Sequence, residues 1–188
     1  HWHGDHVLGL PGLLQTLAAS GYHGTLEIYG PKGSKEFFKR MMSSFLVESR
    51  INVVVKDVDK GIVFETENFS VEARPTKHSV PGLAYAFIEK DKRKIDIEYL
   101  KQFGLKRDKI LKKLQQNKDI EWKGKKIKAS KATKLEKGKK ICYMTDTKSF
   151  SGLHKLAKDS DVLVCEATLE AGLQKHAEKC FHMTSKQA

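Results

Sequence analysis

Apolar residues recur along this chain with two different spacings, and the two spacings alternate. Runs with a spacing of three to four residues predict helices, and runs of β-branched or alternating apolar residues predict strands. The predicted helices are residues 8–19, 31–45, 96–103, 108–115, 150–157 and 169–179. The predicted strands are residues 25–29, 51–55, 62–64, 69–73, 83–88, 141–144 and 162–165. Alternation of strands and helices predicts a layered α/β fold.

One segment departs from this pattern, because residues 117–140 are rich in Lys and Gly and offer few core positions. Residues 90–140 hold 20 Lys and Arg against 7 Asp and Glu, a net charge of +13 in a chain of net charge +12. Charge concentrated in this way indicates a contact surface for a polyanion. A solvated lysine-rich insertion without a partner is the alternative.

Length and composition narrow the class of protein. The 188 residues suffice for one domain with a core, and no apolar run approaches the ~20 residues that cross a membrane. The three cysteines form no CxxC pair, which favours a reducing compartment. We therefore expect a soluble, cytoplasmic protein. Because residue 1 is His rather than Met, we also expect a fragment of a longer reading frame.

The chain begins with a cluster of metal-ligand residue types, His1, His3, Asp5 and His6, within six positions. Neutral imidazole and carboxylate are ligands of zinc and related divalent ions. A compact loop, with Gly4 relieving the turn, can direct the first two histidines to one ion and the other two residues to a second. Packing alone does not account for this spacing.

Two further residues become candidate ligands because two ions need more donors than the first cluster supplies. His78 follows a predicted strand, and Asp146 follows the predicted strand at residues 141–144. Each residue alone fits an ordinary role, as a loop histidine or a helix-capping carboxylate. A carboxylate at a strand end can also bridge two cations.

These motifs resemble those of a known family. HWHGDH at residues 1–6 resembles the HxHxDH motif of the metallo-β-lactamase superfamily, and the following VLGLPGLL is typical of the ribonuclease Z family. Three later segments match the same family in order. They are His78 with Pro81-Gly82, then Thr145-Asp146-Thr147, then Glu166-Ala167-Thr168 with His182-Met183-Thr184-Ser185.

The resemblance implies an αββα sandwich of the metallo-β-lactamase type with an inserted basic arm at residues 90–140. The family has strands before the histidine motif and a last histidine ligand after the HST-like motif, and this chain shows neither. We therefore expect the N-terminal and C-terminal parts of the sandwich to be missing. The arm of the family carries a Gly-Pro motif that residues 103–109 lack.

The resemblance also implies a centre with two Zn²⁺ ions, with Mn²⁺ or other divalent ions as alternatives. The implied metal ligands are His1, His3 and His78 for one ion, Asp5 and His6 for the other, and Asp146 between the two. Asp5 is further expected to orient or deprotonate the attacking water. Glu166 and His182 are expected to form a hydrogen-bonded pair in which His182 protonates the leaving oxygen.

The function implied is that of an endoribonuclease that removes the 3′ trailer from precursor tRNA, working as a homodimer and gripping the tRNA with the basic arm. Two alternatives remain open. One is a phosphodiesterase of the same fold that acts on small substrates, since this fold hosts many chemistries. The other is a nucleic-acid-binding homologue without catalysis.

Overall fold

The computed structural model describes residues 1–46 and 51–188, and these form two compact units. The larger unit comprises residues 1–88 and 140–188, and the smaller unit comprises Glu89–Lys139. Within the described residues, no helix is both long and apolar enough to span a bilayer.

Helices and strands are numbered in chain order through both units. The helices of the larger unit are α1 (Gly4–Val7), α2 (Gly9–Ala19), α3 (Ser34–Ser43), α7 (Ser151–Ala157) and α8 (Gln174–Cys180), with a 3-10 turn at Ala171–Leu173. Its strands are β1 (Thr25–Gly30), β2 (Asn52–Asp57), β3 (Gly61–Glu65), β4 (Phe69–Pro75), β5 (Leu83–Glu89), β10 (Lys140–Met144) and β11 (Val162–Cys165). Every strand predicted from the apolar pattern is present, and no strand end differs from its predicted position by more than two residues.

The strands of the larger unit form two sheets. β1 and β2 pair in parallel, and α3 connects them and packs against β2. Asp57 at the end of β2 accepts backbone hydrogen bonds from Gly33 and Lys35 at the start of α3, which lowers the pKa of this carboxyl group. The second sheet has the order β11-β10-β5-β4-β3, with β10 parallel to β11 and antiparallel to β5.

Each face of the five-stranded sheet packs against a different layer, because successive side chains of a strand point to opposite faces. One face of the sheet carries the small side chains of Ala84, Ala86 and Cys142. Helix α7 packs on this face and buries Leu153 and Leu156 against it.

The opposite face is aromatic and meets the β1–β2 sheet. The rings of Tyr29, Phe64, Phe69 and Phe87 follow one another at centroid distances of 5.9, 5.7 and 4.8 Å. The Tyr85 hydroxyl donates to the Tyr29 carbonyl at 2.7 Å, and burial raises the pKa of Tyr85 to about 12. Helix, sheet, sheet and helix therefore stack in layers, which confirms the predicted sandwich.

One expectation about local structure is wrong. The metal-ligand motif is not wholly a loop, because the single helical turn of α1 begins at Gly4 inside it. Strand β11 is apolar but not buried, since Val162, Leu163 and Val164 are 43–49% exposed. An edge strand has a neighbour on one side only, and an apolar composition does not report that position.

The smaller unit has its own regular structure. It contains β6 (Lys92–Ile95), α4 (Ile97–Lys101), α5 (Leu111–Gln115), β7 (Ile120–Trp122), β8 (Lys125–Ile127), α6 (Ala129–Ala132) and β9 (Thr133–Glu136). β6 pairs antiparallel with β9, and β7 pairs antiparallel with β8. The turn between β7 and β8 places Lys123 and Gly124 at positive φ.

The smaller unit also has its own hydrophobic core, and the few core positions of residues 117–140 supply four of its seven buried side chains. The buried side chains are Leu100, Leu105, Leu114, Ile120, Ile127, Ala129 and Ala132. Tyr99, Phe103 and Trp122 pack around them. The lysines of this unit occupy the other positions of the same segments, so they do not interrupt the contacts among the core side chains.

This core predicts how the smaller unit responds to truncation of a leucine. Leu114 is fully buried, whereas Leu135 in the same unit is 50% exposed. We expect Leu114→Ala to lower the free energy of unfolding by about 2–5 kcal/mol, because it removes buried methyl groups and leaves a cavity. Leu135→Ala should change it by less than about 0.5 kcal/mol. Hydrogen exchange of amides in β7 and β8 measures both effects, and equal effects would contradict this core.

Candidate metal centre

Three segments of the larger unit bring one group of potential metal ligands together. His1 and His3 are extended residues directly before α1, His78 follows β4, and Asp146 follows β10. The segments after β4 and β10 are joined by backbone contacts, since the Lys148 amide donates to the carbonyl of Lys77 at 3.0 Å. The ligand atoms of the four residues all lie within 4.8 Å of one another.

The chemistry of this first group fits a bound cation. His78 Nε2 lies 3.2 Å from His3 Nδ1 and 3.9 Å from the Asp146 carboxylate, and His1 Nε2 lies 3.5 Å from the same carboxylate. His1 Nε2 is buried and has no hydrogen-bond partner within the described residues. A buried polar atom without a partner is costly, and a metal ion would supply the missing interaction.

The orientation of His78 is fixed from outside the group. Its Nδ1 lies 3.1 Å from the backbone carbonyl of Phe181. Because a carbonyl can only accept, Nδ1 donates, and in the neutral ring Nε2 turns its lone pair toward the other ligands. A hydrogen bond of this kind typically fixes the ring of a metal-binding histidine.

A second group consists of Asp5, His6 and Asp146. His6 Nε2 lies 3.2 Å from the Asp146 carboxylate and 3.4 Å from the Asp5 carboxylate. Asp5 and His6 both lie in the helical turn of α1, which brings the ring of His6 close to the carboxylates of Asp5 and Asp146. The Asp5 side chain is 77% exposed, so one of its oxygens can face solvent or substrate.

Asp146 belongs to both groups, and it also lies near a carboxylate–imidazole pair formed by Glu166 and His182. His182 Nδ1 is 3.2 Å from each oxygen of the Glu166 carboxylate. The structure thus brings together all the residues that the sequence singled out at this site. These residues are His1, His3, Asp5, His6, His78, Asp146, Glu166 and His182.

Glu166 is held by several donors in addition to His182. Its carboxylate accepts hydrogen bonds from the Thr147 amide at 2.6 Å, the Met183 amide at 3.1 Å and the Thr168 hydroxyl at 2.8 Å. These bonds satisfy both oxygens of the carboxylate and fix its direction. The bond to Thr147 also ties Glu166 to the segment that carries Asp146.

Several supporting residues were not singled out from the sequence. Thr147 is fully buried, and its hydroxyl accepts from the Lys77 amide at 3.0 Å. Trp2, inside the first motif, donates from its indole nitrogen to the Ser34 hydroxyl at 2.7 Å and lies 5.8 Å from the Phe37 ring. Trp2 therefore anchors the motif to α3, and its place between two candidate ligand histidines was the available signal.

This geometry predicts a metal-binding phenotype for Asp146. We expect Asp146→Asn to lower affinity for Zn²⁺ at least about tenfold, because loss of even an outer partner of a metal ligand costs 10- to 100-fold. Zinc titration of the metal-free protein, with metal content determined after dialysis, measures the effect.

The matched control for this prediction is His154→Gln. The His154 ring bonds the Ser149 hydroxyl at 2.9 Å and belongs to none of the ligand groups, so its loss should leave zinc affinity unchanged. Zinc affinity equal to that of the wild type in Asp146→Asn would exclude Asp146 as a ligand.

The sequence of this chain is similar to those of known proteins. Residues 1–91 match the family model of the metallo-β-lactamase superfamily. The whole chain aligns with ribonuclease Z of Bacillus licheniformis at 34% identity and with ribonuclease Z of Methanothermobacter thermautotrophicus at 33% identity. The chain spans 62% of the length of each of these relatives.

Solved structures agree on the fold. The short form of human tRNase Z superposes with a TM-score of 0.64 at 23% identity, covering all of this chain and 63% of the human protein. A metallo-β-lactamase fold protein from Bacillus subtilis superposes with a TM-score of 0.58 at 15% identity, covering 55% of that protein. The chain therefore has the metallo-β-lactamase fold, and over its whole length it is similar in sequence to these ribonuclease Z proteins.

Proposed function

We propose that this chain is the main part of a metal-dependent endoribonuclease that removes the 3′ trailer from precursor tRNA. The observation that carries the proposal is the position of Asp146, which is shared by two groups of metal-ligand side chains and lies beside the Glu166–His182 pair. The homology to ribonuclease Z supports a tRNA precursor as the substrate.

The proposed ligands of two divalent ions, zinc by preference and manganese as an alternative, follow from the groups described above. His1, His3 and His78 would hold one ion, Asp5 and His6 would hold the other, and Asp146 would be shared by the two. When bound, such ions supply a nucleophile from water at neutral pH and stabilise negative charge on the phosphate oxygens.

The side chains of the centre divide the remaining work. The exposed carboxylate of Asp5 orients the attacking water and accepts its proton. As the new bond to phosphorus forms, the bond from phosphorus to the 3′ oxygen of the upstream nucleotide breaks. His182 donates a proton to that oxygen, and general acid catalysis of this kind contributes typically 10²–10⁴-fold. The products are an upstream RNA with a 3′ hydroxyl and a trailer with a 5′ phosphate.

Glu166 acts on His182 as a positioning residue. Its carboxylate faces His182 Nδ1, so the ring presents Nε2 to the substrate. The buried bonds from Thr147 and Met183 keep Glu166 from turning toward the metal ligands.

The smaller unit is the proposed tRNA-binding arm. Glu89–Lys139 holds 19 Lys and Arg against 8 Asp and Glu, a net charge of +11. Its carboxylates pair with lysines at the surface, as in the contacts of Lys94 with Glu136 and of Lys134 with Asp96. Basic residues remain in excess, and contacts from lysine to phosphate bind RNA without reading its sequence. That property suits an enzyme that acts on many tRNAs.

Other parts of the proposal rest on the family resemblance alone. They are a homodimer, in which the arm of one subunit holds the tRNA that its partner cuts, and a cytoplasmic location. Light scattering of the purified protein tests the dimer.

Cleavage of precursor tRNA is the direct test of the function. With the complete reading frame that contains this chain and added Zn²⁺ or Mn²⁺, we expect cutting directly after the discriminator nucleotide. His3→Ala should abolish cutting because it removes a metal ligand. His182→Ala should lower kcat about 10²- to 10⁴-fold with little change in KM, because the proton donor acts in the transition state.

His154→Gln serves as the control and should cut at the wild-type rate. Salt-sensitive tRNA binding without any cutting would support the binding homologue instead. Hydrolysis of small phosphodiesters without tRNA binding would support the small-substrate phosphodiesterase.

The arm assignment predicts a change in the salt dependence of binding. Lys112 and Lys113 are exposed on α5 of the smaller unit. We expect the double variant Lys112→Gln/Lys113→Gln to lower the slope of log K against log salt by about 2, because each lost phosphate contact removes about 0.9. Fluorescence anisotropy of labelled precursor tRNA measures this slope. The double variant Lys39→Gln/Lys60→Gln makes the same charge change in the larger unit and should leave the slope near the wild-type value.

A further inference from the structure

Two lysines lie over two phenylalanine rings beside the candidate metal centre. Lys148 Nζ is 4.3 Å from the centroid of the Phe181 ring, and Lys77 Nζ is 4.9 Å from that of Phe150. The two pairs are neighbours, because the Lys148 amide bonds the Lys77 carbonyl. Among the described residues, neither ammonium has a carboxylate partner within ion-pair distance.

The position of both lysines in the chain places them at the edge of the site. Lys77 directly precedes His78, and Lys148 follows Asp146 by two residues. Buried threonine contacts fix the backbone of both segments, since the Thr147 hydroxyl accepts from the Lys77 amide and donates to the Lys148 carbonyl. The two unpaired positive charges are therefore held close to the group of proposed metal ligands.

Phe181 adopts a conformation that its residue type rarely adopts. Its φ is 60° and its ψ is 41°, the left-handed region, directly after helix α8. A bulky residue is strained there, whereas glycine adopts this conformation freely. Strained residues concentrate at functional sites. Glycine would provide the same turn and the same carbonyl for His78, so the ring is what phenylalanine adds.

The ring of Phe181 is accessible to a ligand. The residue is 36% exposed and lies edge-on to His78, with ring centroids 6.4 Å apart. It also directly precedes His182. Exposed aromatic rings combined with basic side chains bind single-stranded nucleic acid, since bases stack on the rings and phosphates pair with the cations.

We propose that Phe181 and Lys148, supported by Lys77 and Phe150, form a binding subsite for the last nucleotide of the mature RNA, the one whose 3′ oxygen becomes the leaving group. The base stacks on Phe181, and the ammonium of Lys148 moves from the ring to a neighbouring phosphate. This assignment rests on the proposed function, because His182 is there the proton donor to that same 3′ oxygen.

The test uses a product RNA that cannot be cut again. A tRNA that ends in 2-aminopurine with a free 3′ hydroxyl is bound to the metal-loaded protein, and fluorescence quenching reports stacking of the terminal base. We expect quenching with the wild type and with Phe181→Trp. Phe181→Gly should lose the quenching and bind about 5- to 100-fold more weakly, the effect of one base–aromatic stack.

A matched control separates the ring from the backbone. Asp159 also has a positive φ, 59°, outside this site. Asp159→Gly makes the same backbone change and should keep both quenching and affinity. Equal quenching in the wild type and in Phe181→Gly would overturn the proposal. So would Phe181-dependent quenching that occurs only when 2-aminopurine is the first nucleotide of the trailer.

The lysine has a separate readout. Lys148→Gln should lower the salt slope for binding of this RNA by about 0.7, the value for one phosphate contact on a single strand. Lys60→Gln, between β2 and β3, should leave the slope unchanged. An unchanged slope in Lys148→Gln removes this lysine from the subsite.

Cleavage measured on the same preparations distinguishes this proposal from the proposed function. Cleavage of precursor tRNA with no Phe181-dependent quenching rejects the subsite and keeps the function. Phe181-dependent quenching without any cleavage keeps the subsite and rejects the function.

Discussion

The carboxylate of Asp146 shares a small space with ring nitrogens of His1, His6 and His78, at distances of 3.2–3.9 Å. Groups with lone pairs and negative charge, once removed from water, require protons or cations between them. Satisfying that requirement holds the start of the chain, the end of β4 and the end of β10 at one point. The strand pairing of the five-stranded sheet brings these segments together, because it determines where β4 and β10 end.

A second buried carboxylate extends the same constraint away from the cluster. Glu166 follows β11 and accepts hydrogen bonds from Thr147, Thr168 and Met183. It therefore connects the segment after β11 and the segment that carries His182 to the end of β10. A single side chain thus determines how the strand ends sit and which nitrogen of His182 is presented. Loss of Glu166 therefore changes shape and chemistry together, whereas loss of His182 leaves the network of Glu166 largely in place.

The sequence predicted most of the larger unit and missed most of the smaller one, for physical reasons. His1, His3, Asp5 and His6 are neighbours in the chain and so must be neighbours in space. His78 and Asp146 are single polar residues after strands, and they became candidates only because the ions implied by the first motif need further ligands. In the smaller unit, the strands are only three or four residues long and charged residues occupy 8 of their 14 positions, so no apolar alternation marks them. The left-handed turn at Phe181 was unpredictable because glycine, its usual signal, is absent there.

In the chain, the smaller unit lies between β5 and β10. These two strands are paired neighbours, and Ile88 lies opposite Lys140. The 51 residues of Glu89–Lys139 therefore occupy the place of a hairpin loop. Insertions, deletions or replacements within this loop need not alter the register of the sheet that carries Asp146. The arm that we propose to bind RNA and the chemistry of the centre can accordingly diverge independently during evolution, and the arm can be exchanged between relatives as a unit.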